Sequence, residues 1–150
     1  DHYVSKEYFG GTTFKNGKMA TKVLKKFTEE DKALVPKVAA LLSDLANLPY
    51  QNKLSEEERE EGFNLFFDDL ACIDCHDIED ENEGTAPDLT GYATREWLID
   101  IISDPAHERF YGKDNDRMPS FGHDEKLASE EIAILADWLR SKPSEISIEK

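Results

Sequence analysis

The sequence predicts an all-α chain. Three observations carry that prediction. Apolar residues recur at spacings of three and four in four separate segments. Each segment opens on a side chain suited to capping a helix N-terminus: Thr28, Ser55, Thr94 or Ser129. No run alternates apolar with polar residues, as a half-buried strand would.

The elements follow in chain order. Residues 1–27 carry Gly10-Gly11, Asn16-Gly17 and scattered aromatics and lysines, with no sustained period, and are expected to be irregular and to lie on the surface. Thr28 with Asp31 gives a capping-box-like start to a helix over about residues 29–48, on which Leu34, Val38, Leu41, Leu42, Leu45 and Leu48 form one apolar stripe. Pro36 is assigned to the first turn of that helix, where its missing N–H costs nothing, and Pro49 to its stop. Ser55 and Glu58 make a second capping box. The helix behind it should bury Phe63, Phe66, Phe67 and Leu70 and run directly into Cys72. Gly62 lies inside it, where glycine costs about 1 kcal/mol against alanine, and close approach of another helix is a physical motive for keeping it. Thr94 caps a third helix carrying Trp97, Leu98, Ile101 and Ile102, ended by Asp104-Pro105. Ser129 is expected to cap a fourth, with Ile132, Leu135, Ala136 and Leu139 inward and Pro143 just beyond.

Composition excludes some functions. The net charge of −15 opposes binding to nucleic acid or anionic lipid, and favours a basic protein partner or simply solubility. No transmembrane segment is expected, because no run approaches the ~18 apolar residues that a membrane helix needs. The best segment, residues 33–48, is interrupted by Pro36, Lys37, Ser43, Asp44 and Asn47. No secretory apolar region opens the chain. A start at Asp1 is expected of a processed chain or of one excised from a longer parent, whose anchor would then be out of sight.

The pentapeptide Cys72-Ile73-Asp74-Cys75-His76 carries the chemistry. C-x-x-C-H is the attachment signature of a c-type haem. Two cysteines three positions apart can each form a thioether with one vinyl group of a single porphyrin, and His76 is then held beside the ring as an iron ligand. A Cys-rich zinc site would need further ligands, but there are no other cysteines, and His2, His107 and His123 are scattered singly. A thioredoxin-like pair would need a βαβ context that the pattern lacks. One haem c, covalent through Cys72 and Cys75, is therefore expected.

The iron needs a ligand on its other face. Met118, followed by Pro119, lies in the loop between the third and fourth helices, and the other methionine, Met19, lies in the irregular N-terminal segment. A thioether is soft, suits Fe(II) and raises the reduction potential. Met118 is the expected second axial ligand. His107 and His123 are alternative bis-histidine partners, and a plain core-filling role is the bland alternative for Met118.

With these residues in place, the segment 55–141 resembles a class I c-type cytochrome. The matching elements come in the family's order: the helix with Gly62 and Phe66, the C-x-x-C-H, Ala86-Pro87-Asp88-Leu89-Thr90-Gly91, the Met118-Pro119-Ser120-Phe121 loop, and a last helix ending in Ala136-Asp137-Trp138-Leu139. The resemblance implies a cytochrome c fold, with helices around one covalently attached haem. It implies that the first and last helices of that fold cross near Gly62 and Trp138, and that the Pro87 carbonyl accepts a hydrogen bond from the proximal histidine. Ala86 departs from the family's usual glycine. Three parts are expected: an extension over residues 1–54 containing one further helix, the haem domain over 55–142, and a tail over 143–150. The stretch from Ile102-Ser103-Asp104-Pro105-Ala106-His107 through Phe110-Tyr111-Gly112 to Asp116-Arg117-Met118-Pro119 is also similar to cytochrome c domains appended to cytochrome b in some bacterial quinol-oxidising complexes.

The expected function is one-electron transfer in a respiratory-type chain, with both ligands bound in either oxidation state and no catalytic residue required. Partners would be redox proteins, or a membrane quinol-oxidising complex. The acidic run Asp77-Ile78-Glu79-Asp80-Glu81-Asn82-Glu83 is a candidate docking rim for a basic face. The rival is a haem enzyme or ligand sensor, peroxidase-like, with a labile sixth position; a further alternative is the cytochrome subunit of a larger oxidoreductase. Thioether attachment occurs on the outer side of the energy-transducing membrane, so the periplasm or an equivalent compartment is expected.

Overall fold

The computed structural model describes residues 13–17, 19–23, 26–79, 86–115 and 118–141. These residues are helical with no strand, as predicted. A 3-10 turn at Thr13–Asn16 and a π-helical turn at Met19–Val23 occupy part of the segment expected to be irregular.

The first long helix, α1, spans Glu29–Leu45. Its capping box forms: the Thr28 hydroxyl accepts from the Asp31 N–H, and the Asp31 carboxylate accepts from the Thr28 N–H at 2.7 Å. Pro36 falls inside this helix, not in its first turn. The Lys32 carbonyl, four residues earlier, thereby loses its helical donor. Both residues are exposed, so water can take that donor's place. The helix also ends before Pro49. Asn47 adopts a left-handed φ of 50°, the Asn47 N–H reaches the Asp44 carbonyl, and the Leu48 N–H reaches that of Ser43. That pair of bonds is a Schellman closure, which Asn tolerates.

α2 spans Glu56–Asn64 behind the Ser55/Glu58 capping box. It then widens into a π-helical turn, Leu65–Asp69. The wider turn rotates the inward positions: Leu65, Phe66 and Leu70 are buried, whereas Phe67, expected inside, is exposed. α1 and α2 pack together at Gly62, where an added Cβ would lie 2.9 Å from the Leu41 Cβ. The close approach that the glycine predicted is therefore made by α1. Val38, Leu65, Phe66, Leu70 and Ile78 form one core cluster, against which Leu34, Val35, Leu42, Leu45, Cys72, Ile73 and Leu89 pack.

α3 spans Arg95–Ser103, with the Thr94 hydroxyl accepting from the Trp97 N–H at 3.2 Å. α4 spans Ser129–Leu139. Ser129 is its first helical residue, not its cap. Ala128 takes the cap position, and the Glu131 carboxylate accepts from the Ala128 N–H at 2.8 Å, which is half of a capping box. α4 packs on α3 through Ile132 and Ala136, while Leu135, Leu139 and Trp138 are exposed, the last at 48%. Trp138 does not meet Gly62: among the described elements α2 and α4 do not pack on each other. A second core cluster joins Trp97, Ile101, Ile102, Phe110 and Ile132, with Met118, Phe121 and Leu127 against it. No helix among the described residues is long and apolar enough to cross a membrane.

Candidate haem-attachment site

Two residues past the π turn, Ala71 takes a left-handed φ of 48° and redirects the chain into a 3-10 turn at Cys72–Asp74. A β-carbon in that conformation costs about 1–2 kcal/mol. The result is a compact loop: the Cys75 and His76 N–H groups both donate to the Cys72 carbonyl, at 3.2 and 3.0 Å. Both thiols are free and half-buried. Burial pushes the Cys72 thiol up to about 11. It is thus held protonated, and a protonated thiol is a poor partner for adventitious oxidation.

Residues 86–91 run beside this loop and are laced to it. The Ala86 N–H donates to the Cys75 carbonyl (3.1 Å) and the Leu89 N–H to that of Asp77 (2.8 Å). The Glu79 N–H donates to the Thr90 hydroxyl at 2.9 Å. Alanine at position 86 is accommodated in this lacing. The consequence is that His76 Nδ1 lies 2.8 Å from the Pro87 carbonyl oxygen. A carbonyl only accepts, so Nδ1 carries the hydrogen, and in the neutral ring Nε2 is then the bare nitrogen. That is the tautomer a metal-bound histidine needs, with its ring orientation fixed by an outer partner.

Met118 is half-buried against the second cluster. Its backbone is held from both sides by one side chain: Asn115 donates through Nδ2 to the Met118 carbonyl at 2.8 Å, and its Oδ1 accepts from the Met118 N–H at 3.3 Å. The following residues are pinned to the end of α3. Phe121 N–H bonds Ile102, Gly122 and His123 N–H bond Ser103, and the Ser120 hydroxyl bonds Asp104. Gly122 fits because an added Cβ would lie 3.1 Å from the Ser103 Cα. The competing histidines are less suited. His107 is exposed and its Nδ1 accepts from the Arg109 N–H, and His123 is exposed beside Asp124.

The donor set therefore fits a c-type haem: two cysteines on one turn, a histidine with an oriented ring, and a thioether on a separate apolar cluster. No group of three or more His, Cys, Asp or Glu that could hold a bare metal ion occurs among the described residues. The acidic run fares differently. Asp77 and Ile78 are buried, Glu79 is exposed, and residues 80–83 lie outside the described residues. Asn115, which holds the Met118 backbone, and Arg109, which holds the segment beside His76, carry no motif of their own; the neighbouring Phe110-Tyr111-Gly112 stretch is the available cue.

Neither the curated proteins nor the solved structures contain a significant match to this chain. Residues 57–139 match the family model described as cytochrome c oxidase, cbb3-type, subunit III, which spans more than half of the chain and brackets the C-x-x-C-H, the Pro87 segment and Met118. The chain belongs to that family of c-type cytochrome domains.

Proposed function

We propose that the chain is an electron carrier, or the electron-carrying domain of a larger oxidoreductase. In this reading one haem is attached through Cys72 and Cys75, with His76 and Met118 as axial ligands. The observation that carries it is the 2.8 Å contact between His76 Nδ1 and the Pro87 carbonyl, beside both cysteines on one turn. Bound there, the haem would supply a one-electron Fe(III)/Fe(II) couple. The chain's own residues supply the rest. His76 offers Nε2 in a fixed orientation, and the Asn115 clamp holds the backbone that carries the Met118 thioether. The Phe66 and Trp97 clusters exclude water. A ligand set that stays fixed in both oxidation states keeps reorganisation small, and no proton needs to move.

Membership in an oxidase-subunit family supports a place in respiratory electron transfer, with redox protein partners and an extracytoplasmic location. The cytochrome b-linked arrangement inferred from sequence remains a proposal of the same class. The deciding experiment is the optical spectrum of oxidised and reduced protein, with and without carbon monoxide. The expected result is sharp reduced bands, a weak sulfur-to-iron band near the red end when oxidised, and no carbon monoxide shift. A high-spin spectrum that shifts with carbon monoxide would overturn the carrier reading in favour of an enzyme or sensor. A low-spin spectrum without the sulfur band would replace Met118 with a histidine.

A further inference from the structure

We propose that Arg109 and Asp88 are a positioning pair that fixes the Pro87 carbonyl on the His76 imidazole and so sets the electron-donating strength of that ligand. The inference rests on His76 being the proximal ligand, as proposed above.

The argument starts from the peptide unit. The Pro87 carbonyl and the Asp88 N–H belong to one planar group and move together. Proline has no N–H of its own, so this segment is steered by its neighbours. The Asp88 N–H donates to the Arg109 backbone carbonyl at 3.0 Å. One end of the plane is thus held by Arg109 while the other end meets His76 Nδ1 at 2.8 Å.

The side chains lock this arrangement. Arg109 Nε donates to Asp88 Oδ2 at 2.9 Å, and its Nη2 donates to the Thr90 carbonyl at 2.5 Å. Asp88 Oδ1 accepts from the Thr90 N–H at 2.7 Å, and the Asp88 carbonyl accepts from Trp97 Nε1 at 3.1 Å. Every polar atom of Asp88 is therefore engaged. The guanidinium also lies 5.5 Å from the centre of the Phe110 ring, and Phe110 is in the second core cluster. A two-pronged arginine suits this role because its planar fork serves a carboxylate and a carbonyl at once.

The effect on the iron has a definite sign. A firm Nδ1–H···O=C bond makes the imidazole more basic and favours Fe(III). Loosening it favours Fe(II) and raises the potential. Simple charge effects predict otherwise. Removing the Arg109 charge would favour Fe(III) and lower the potential, whereas removing the Asp88 charge would raise it.

The test is the reduction potential of the haem-loaded chain and of its Arg109→Gln, Asp88→Asn and Arg109→Lys variants, with the solvent exchange rate of the His76 Nδ1 proton followed by NMR. The inference expects upward shifts in both Arg109→Gln and Asp88→Asn, each at least the threefold change in redox equilibrium that corresponds to about 30 mV at about 59 mV per tenfold. It also expects faster proton exchange in both, and a smaller change of the same sign in Arg109→Lys. Opposite signs for Arg109→Gln and Asp88→Asn would overturn it as a charge effect. Unmoved potentials and exchange would overturn it as packing alone. If Arg109→Gln does not fold, Arg109→Lys decides: a potential equal to wild type refutes the inference. A wild-type spectrum without a histidine-ligated low-spin haem would instead sink the underlying assignment of His76.

Discussion

Gly62→Ala is the sharpest test of how the helices are assembled. On an open helix, alanine in place of glycine would stabilise by about 1 kcal/mol. Here the new Cβ would lie 2.9 Å from the Leu41 Cβ, 3.3 Å from Cδ2 and 3.4 Å from Cγ. Leu41 is fully buried, and its nearest atom is a β-carbon, which moves only with the backbone of α1. Rotamer change cannot relieve the contact. Overpacking of this kind costs ~1–3 kcal/mol, and the immovable neighbour places it in the upper half of that range. The net effect is a loss of about 1–2 kcal/mol, or ~2–8 °C in melting temperature for a chain of this length. Thermal unfolding of the haem-loaded chain by circular dichroism at 222 nm measures it. Partner identity is tested by double-mutant cycles. Gly62→Ala should couple to Leu41→Gly, which removes the β-carbon that alanine would keep, and should be additive with Trp138→Ala within ~0.5 kcal/mol. A melting temperature that rises in Gly62→Ala, or strong coupling to Trp138, would refute the packing of α1 on Gly62.

Other expectations follow from single contacts. Met118→Ala should leave the reduced protein able to bind carbon monoxide and remove the sulfur-to-iron band, and unchanged spectra would exclude Met118 as a ligand. Arg140 donates to the carbonyls of Ala93 at 2.7 Å, Ala46 at 3.2 Å and Asn47 at 3.3 Å, joining the end of α1 to that of α4. Arg140→Ala should therefore cost about 2 kcal/mol in chemical denaturation, and a loss below ~0.5 kcal/mol would show these bonds to be idle. In the folded chain before haem attachment, the Cys72 thiol lies at about 11 against an ordinary 9.0. Iodoacetamide at pH 8 should then modify it about 100-fold more slowly than in the urea-unfolded chain, a contrast that vanishes if the turn is open. Burial alone would push the Asp88 carboxyl up, but bonds from Thr90 and Arg109 overcome it and hold the group below 3.8. A depressed carboxylate stabilises the fold above its unfolded value, and this contribution is lost as pH falls through the folded one. Protection of the His76 Nδ1 proton should thus persist at pH 4 and fail only below 3.8.

What the sequence revealed and what it concealed divide along a physical line. Capping boxes at Thr28 and Ser55 were legible because all their atoms lie within four residues. The C-x-x-C-H was legible because attachment chemistry fixes its spacing. The exchange of Phe67 for Leu65 in the core was not, since it depends on a π turn that follows a regular α-helical start and carries no local signal. Gly62 announced that something comes close without saying what. Periodicity placed Leu135 and Leu139 on the inner face of the last helix, yet α4 packs by the narrower Ile132–Ala136 face. Asn115 and Arg109 escaped because their partners are loop backbone atoms, and no pattern in one sequence pairs Arg109 with Asp88, 21 residues away.

The two expected ligands sit on different halves of the molecule. His76 follows the α1–α2 cluster, and Met118 rests on the α3–α4 cluster. Among the described elements, neither helix of one half packs on a helix of the other. The links between the halves are mainly polar: the lacing of residues 86–91 to 75–79, Trp97 on the Asp88 carbonyl, the Arg109 fork and Arg140. Each is worth on the order of 1 kcal/mol net, against the larger return from each buried apolar cluster. In the proposed function, a group covalently held by one half and ligated by the other supplies a cross-link that these bonds provide only weakly. A displaced ligand would then relax both the iron and the fold, so the need for a fixed ligand set in electron transfer and the need for cohesion select the same residues.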